Sequence, residues 1–160
     1  MMIVLDEKNK LGIMWETLIN ELDFSYGNIN FIIGDMLVPN YFICNYTINV
    51  VFSNFVSSVR EAYAKSEDFL INSDYEKIKE GLISEGQFEA IYNIELADME
   101  QGGIDRGVLM WIGFGEVNEL IFYTSNYGKE IQYMSFPKNT LLHLIDEISD
   151  LNRNTLGRKF

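Results

Sequence analysis

The 160 residues contain one cysteine, one histidine and two prolines. With Cys44 alone, no intrachain disulfide can form, which fits a reducing, cytoplasmic compartment. Cys44 and His143 together cannot assemble the usual zinc ligand set. Pro39 and Pro137 lie far apart, so no proline-rich linker divides the chain, and residues 1–160 read as a single domain. No apolar run approaches the roughly 18 residues of a membrane helix. Met1 to Leu5 runs straight into Asp6, Glu7 and Lys8 without a basic leader region, so it does not read as a signal peptide. Neither a membrane nor an oxidising environment is expected.

Positive charge is the other shortage. Twelve basic residues face 24 acidic ones, for a net charge of -12. The deficit is local. Residues 1–66 carry 7 acids and 4 bases, residues 67–105 carry 11 and 2, and residues 106–160 carry 6 of each. The middle quarter therefore holds -9 of the total. Such a field repels phosphate backbones and attracts basic partners. Aromatics on the strand-like segments, among them Phe122, Tyr123, Tyr127, Tyr133 and Phe136, lack the interleaved Lys and Arg of a single-strand binder. Nucleic acid is not an expected partner.

What is present is apolar: 48% of residues are hydrophobic and 14% aromatic, enough for a packed core. Thr47 to Lys65 carries Ile48, Val51, Phe52, Phe55, Val56, Val59 and Tyr63 at helical spacing, with Thr47 placed to cap. A thinner stripe, Tyr75, Ile78, Leu82 and Ile83, predicts a surface helix over Asp74–Ser84 after a cap at Ser73. A third helix is expected from Asn139 or Thr140 to about Asn152, on Leu141, Leu142, Leu144, Ile145, Ile148 and Leu151. Strand-like segments fall at 13–22, 28–33, 41–46, 88–96, 108–114, 120–125 and 131–136, separated by glycine, proline and asparagine turns. Phe88 to Leu96 alternates, with Glu89, Ile91, Asn93 and Glu95 on its wet side. The expected fold is α+β: an antiparallel sheet covered by two amphipathic helices, with an acidic helical insertion. Ser25-Tyr26-Gly27 and Asn126-Tyr127-Gly128, each before a strand, hint at an internal duplication.

Catalytic chemistry is hard to build from these residues. His143, with Glu147 one turn later, reads as a helix-surface histidine beside a carboxylate rather than an oriented base. Cys44 has no basic residue near it in sequence to generate a thiolate and reads as a small core residue. Trp111-Ile112-Gly113-Phe114-Gly115-Glu116 lacks the third glycine and the Lys-Ser/Thr pair of a phosphate cradle and reads as a strand ending in a turn. Asp98, Glu100 and Asp105 flank Gln101-Gly102-Gly103 without the spacing of a calcium loop. No cofactor and no enzyme activity are expected, although a pair of carboxylates in a deep pocket would reopen glycoside hydrolysis.

Two readings remain for the acidic quarter. It is a solvated face that aids solubility, or it is a binding surface. Its clustering favours the second: Asp68, Asp74, Glu76, Glu80, Glu85, Glu89, Glu95, Asp98, Glu100 and Asp105 fall on one predicted helix, one strand face and one loop. Tyr75, Ile91 and Tyr92 are the apolar anchors within it, with Ile91 on the wet face.

Tyr26-Gly27-Asn28-Ile29-Asn30-Phe31-Ile32-Ile33-Gly34-Asp35, then Val38-Pro39, then the helix from Thr47 to Arg60, form a strand-and-turn unit feeding an amphipathic helix. This unit resembles small bacterial immunity proteins of contact-dependent growth inhibition and related polymorphic toxin systems. The resemblance implies a cytoplasmic, non-enzymatic inhibitor that binds a cognate toxin C-terminal domain, a basic nuclease. An acidic surface suits that role, because opposed charge speeds capture of a protein built to hold phosphates. The alternative is an acidic secretion chaperone that binds an effector protein. Chaperones of that kind open with an amphipathic helix, and residues 1–24 show none.

Overall fold

The computed structural model describes residues 1–43, 45–66, 71, 73–101 and 106–155, with side chains described through Leu151. The fold is α+β, built on two antiparallel sheets and three helices. In the first sheet, β1 (Met2–Asp6), β2 (Leu11–Asn20), β3 (Ser25–Ile33) and β4 (Met36–Val38) lie side by side in chain order. The two-residue β5 (Tyr46–Thr47) pairs with the start of β3, Tyr26 opposite Thr47. After helices α1 (Ile48–Lys65) and α2 (Tyr75–Glu85) comes a second sheet. It orders β6 (Ile91–Ile94), β7 (Leu109–Phe114), β8 (Asn118–Thr124) and β9 (Gln132–Pro137) in sequence. Helix α3 (Thr140–Thr155) closes the chain.

The single sheet expected from the sequence is thus two sheets around one shared core. Ile13, Ile29, Phe31 and Ile33 of the first sheet, Met110, Ile112, Phe114 and Ile121 of the second, and the buried stripes of α1 and α3 belong to the same cluster. Phe31 meets Phe55 of α1 edge-on, with ring centres 5.2 Å apart. Each fully buried side chain of this size contributes about 1.5–3 kcal/mol. The strand period then decides what the other faces carry. In the second sheet, Ile91, Trp111, Leu120 and Phe122 point away from the shared core. They bury Ile78 and Leu82 of α2 in a smaller cluster. The second sheet is therefore apolar on both faces.

Several local expectations shift for identifiable reasons. Of the described residues in 41–46, only Tyr46 lies on a strand: β4 ends at Val38, and Tyr46–Thr47 rejoins the ladder. Cys44 lies outside the described residues. The Phe88–Leu96 strand shrinks to Ile91–Ile94, because Ala90 (φ 61°) and Ala97 (φ 52°) leave the extended region on either side. Met2–Asp6, read from the sequence only for targeting signals, is an edge strand. Asp74, not Ser73, caps α2, accepting from the Lys77 N–H at 2.8 Å. Gly86 ends that helix at φ 70°, the left-handed conformation that glycine adopts without strain.

The hint of duplication is answered in part. Each half is a four-strand meander followed by a helix, the first with β5 added before its helix. However, Ser25–Gly27 runs inside β3, whereas Asn126-Tyr127-Gly128 forms the β8–β9 turn, with positive φ at Tyr127 and Gly128.

A buried carboxylate joins the halves. Glu119 of β8 accepts from the Tyr63 hydroxyl of α1 at 2.5 Å and from the N–H groups of Asn139 and Leu141 at 3.0 and 2.9 Å. It thereby satisfies unpaired donors at the start of α3. Burial pushes this carboxyl above its ordinary value, against the pull of those hydrogen bonds. Arg60 and Asp146 add an exposed ion pair between α1 and α3, at 2.9 Å.

Candidate functional site

The acidic quarter separates into three groups. The first is built on α2. Ile78 and Leu82 turn one face of this helix onto the second sheet, so Glu76 and Glu80, four residues apart, share the solvent side. Asp74 at the cap, Glu85 at the last turn and Glu89 beyond it are also exposed. Lys77 and Lys79 are the basic residues of this helix. Lys79 is engaged, 3.6 Å from Glu76 and 5.8 Å above the Tyr133 ring. Ile83 is 49% exposed among these acids, so it does not join the buried stripe that the sequence suggested. Tyr75 sits at the helix start, half turned to solvent, with its ring edge against Tyr133. This face offers negative charge with Ile83 and Tyr75 as apolar contacts.

The second group lines the open edge of the second sheet. Glu95 is exposed beside a groove of about 270 Å³ between α1 and β6, whose rim includes Glu61, Lys65 and Tyr92. Lys65 bonds Glu61 at 2.7 Å and holds that carboxyl below its usual range. The Glu95 N–H is taken by the Ser58 hydroxyl at 2.9 Å, so α1 holds this edge in place.

The third group is structural. One Asp98 oxygen accepts from the Thr47 N–H at 2.8 Å and from the Thr47 hydroxyl at 2.9 Å. Thr47, expected to cap α1, makes no cap bond and instead donates to Asp98. Glu100 accepts from the Leu96 N–H at 3.2 Å within the short 3-10 helix Ala97–Glu100. Burial pushes the Glu100 carboxyl up. Asp68 and Asp105 lie outside the described residues.

Ile91 requires a correction. It is only 9% exposed and packs with Ile78, Leu82, Trp111 and Phe122. Of the side expected to be wet, Glu89, Asn93 and Glu95 are exposed and Ile91 alone is covered, by Ile78 and Leu82 of α2. Tyr92 is half-buried against Phe114, ring centres 6.0 Å apart, and its hydroxyl donates to the Lys65 carbonyl at 3.3 Å.

A second exposed surface was not legible as such. The β2–β3 hairpin ends in a tip, residues 17–24, that is exposed throughout. Leu18, Ile19, Leu22 and Phe24 are its large apolar residues. The available signals were the apolar Leu22 and Phe24 interleaved with Glu21 and Asp23, and the lack of any base from residue 11 to 59.

His143 is exposed on α3. Gly115 donates to the Asn118 carbonyl at 2.8 Å, closing the β7–β8 turn rather than a phosphate cradle. Among the described residues, no group of three or more His, Cys, Asp or Glu side chains could hold a metal ion. No described helix is long and apolar enough to cross a membrane.

Residues 2–151 match the Immunity protein 42 family, and the chain belongs to that family. The fold is also that of the crystal structure of CdiI from Burkholderia dolosa AUO158, at a TM-score of 0.65 and 13% identity. The likeness covers 92% of this chain and 97% of that one. No curated protein matches the chain. Family membership makes this an immunity protein, a toxin inhibitor and not an enzyme.

Proposed function

We propose that the protein acts in the cytoplasm, where it binds the C-terminal domain of its cognate toxin through the acidic face of α2, and that this domain is a basic nuclease. The observation that carries the proposal is the exposure of Glu76, Glu80 and Ile83 along the solvent side of α2, with Asp74, Glu85 and Glu89 exposed at and beyond its two ends. Such a face mimics the charge of a nucleic-acid backbone and competes for a surface built to hold phosphates. Long-range attraction raises the encounter rate, and the apolar contacts slow release. Family membership turns the chaperone alternative aside.

The test pairs the protein with the C-terminal domain of the exoprotein encoded beside it. The wild type should block nucleic-acid cleavage by that domain. Glu76→Lys with Glu80→Lys should slow association about tenfold at low salt, with the difference shrinking as salt screens the charges. A domain that cleaves no nucleic acid removes the nuclease assignment, and an unchanged association rate moves the interface away from α2.

A further inference from the structure

Among the described residues, the most exposed large apolar side chain lies outside the acidic quarter. Leu22 at the β2–β3 tip is 95% exposed, and Leu18, Ile19 and Phe24 beside it are 51%, 55% and 43% exposed. Isolated exposed leucines are ordinary; four large apolar residues within seven positions of one projecting tip form a patch that marks an interface.

The tip is held in shape. The Glu21 N–H bonds the Phe24 carbonyl at 2.8 Å and closes the turn. The Ser25 hydroxyl bonds Asn20 Oδ1 at 2.7 Å across the two strands. Asn49, in the first turn of α1, donates to the Asp23 carbonyl at 3.1 Å and accepts from the Ser25 N–H at 3.2 Å. A register shift between Thr17 and Ile19 lets the neighbouring Leu18 and Ile19 both face solvent. At Gly27 the strands approach so closely that a Cβ would run into the Glu16 carbonyl. A hairpin fixed in this way loses little freedom when it docks.

Its charge selects the occupant. From residue 11 to residue 59 the chain has four acids, Glu16, Glu21, Asp23 and Asp35, and no lysine or arginine. Three of those acids lie on the hairpin that carries the apolar tip. An anionic lipid surface repels such a tip, and so does a second copy of this chain.

We propose that the β2–β3 tip is a docking element that inserts Leu18, Leu22 and Phe24 into an apolar groove of the toxin domain rimmed by Lys and Arg. This inference rests on the toxin-binding reading above but uses a surface separate from α2. The probe is the same exoprotein C-terminal domain, with its activity inactivated by mutation. Leu18→Ala with Leu22→Ala in the full chain should leave the thermal midpoint unchanged and weaken binding at least thirtyfold, chiefly through faster dissociation. Glu21→Lys with Asp23→Lys should slow association in a salt-dependent way. If the wild type binds and the alanine pair binds within threefold of it, the hairpin proposal is overturned while the toxin-binding reading stands. If the wild type itself does not bind that domain, the underlying reading fails as well. Sedimentation of the free protein adds one further outcome: a wild-type dimer made monomeric by the alanine pair, with toxin binding intact, would make the tip a self-association surface and overturn the proposal.

Discussion

The two sheets are built alike and used differently. Both are built on a four-strand antiparallel meander, the first with the short β5 added, and both are followed by a helix, yet the second is packed on both faces and the first is not. In the second sheet Ile112 and Ile121 enter the shared core while Trp111 and Phe122 enter the α2 cluster, so the central strands β7 and β8 are committed to packing on both faces. In the first sheet Ile13, Ile29 and Phe31 are buried, while the opposite face carries the half-exposed Ile3 and Leu5, and β2 and β3 extend past the core. The half with spare apolar surface is the one free to use it. The acidic quarter follows the same division: acids on α2 face solvent, whereas Asp98 is spent holding Thr47.

Substitutions can break or sharpen this contrast. The largest effect should come from Phe122→Ala in the second sheet. Phe122 is fully buried, so losing its ring should cost about 3–5 kcal/mol in denaturant unfolding, while the exposed hairpin substitutions stay within roughly 0.5 kcal/mol. Equal losses at the two places would erase the distinction.

Next comes Glu119→Ala, which takes the acceptor from the Tyr63 O–H and from two backbone N–H groups, while the Tyr63 oxygen keeps the Leu142 N–H, and should cost about 2–4 kcal/mol. Glu119→Gln tests the charge by itself. The folded protein holds the Glu119 proton more tightly than the unfolded chain does, since burial raises the carboxyl above 4.5. Stability from this group is therefore full below its unfolded value and lost as pH rises through the folded one. The wild-type advantage over Glu119→Gln should shrink as pH climbs from 4.5 upward, measured by unfolding at a series of pH values. A pH-independent difference would mean that the site favours the charged form as well as water does.

The smallest effect is expected at Asp98→Ala. Loss of its two bonds to Thr47 should cost about 1–2 kcal/mol and leave the association rate with the toxin domain unchanged. A slowed association would return Asp98 to the binding surface.

How much of this was legible in the sequence depended on where each residue's partner lies. The stripe from Ile48 to Val59 is local, and α1 appears where its spacing places it. The same holds for Leu141 to Ile148 in α3, and for Val108 to Phe114, whose apolar character on both sides anticipated a central strand. The unit from Tyr26 to Asp35 lies on β3 and its turn into β4, and the family that it resembles is the kind to which the chain belongs.

Tertiary facts were not legible. Ile91 was assigned to water by a period of two, which gives sides but not what covers them; α2 covers Ile91, while Asn93 on the same side stays exposed. Asp98 counted as surface charge because Thr47, its partner, is 51 residues away. β4 is three residues long, too short for any period to show. In the sequence Leu22 ends the strand-like segment over 13–22 and Phe24 lies between expected elements, and neither position signals an exposed hairpin tip.

The long stretch without lysine or arginine, from Lys10 to Arg60, has a practical consequence. Trypsin has no bond to cut between those two residues, so β2, β3 and β4 remain in one fragment however long the digestion runs. Chymotrypsin cuts after leucine and phenylalanine and finds Leu22 and Phe24 presented at an exposed tip. The pair of proteases thus reads one hairpin in opposite ways, and its protection from chymotrypsin reports directly on whether anything sits over the tip.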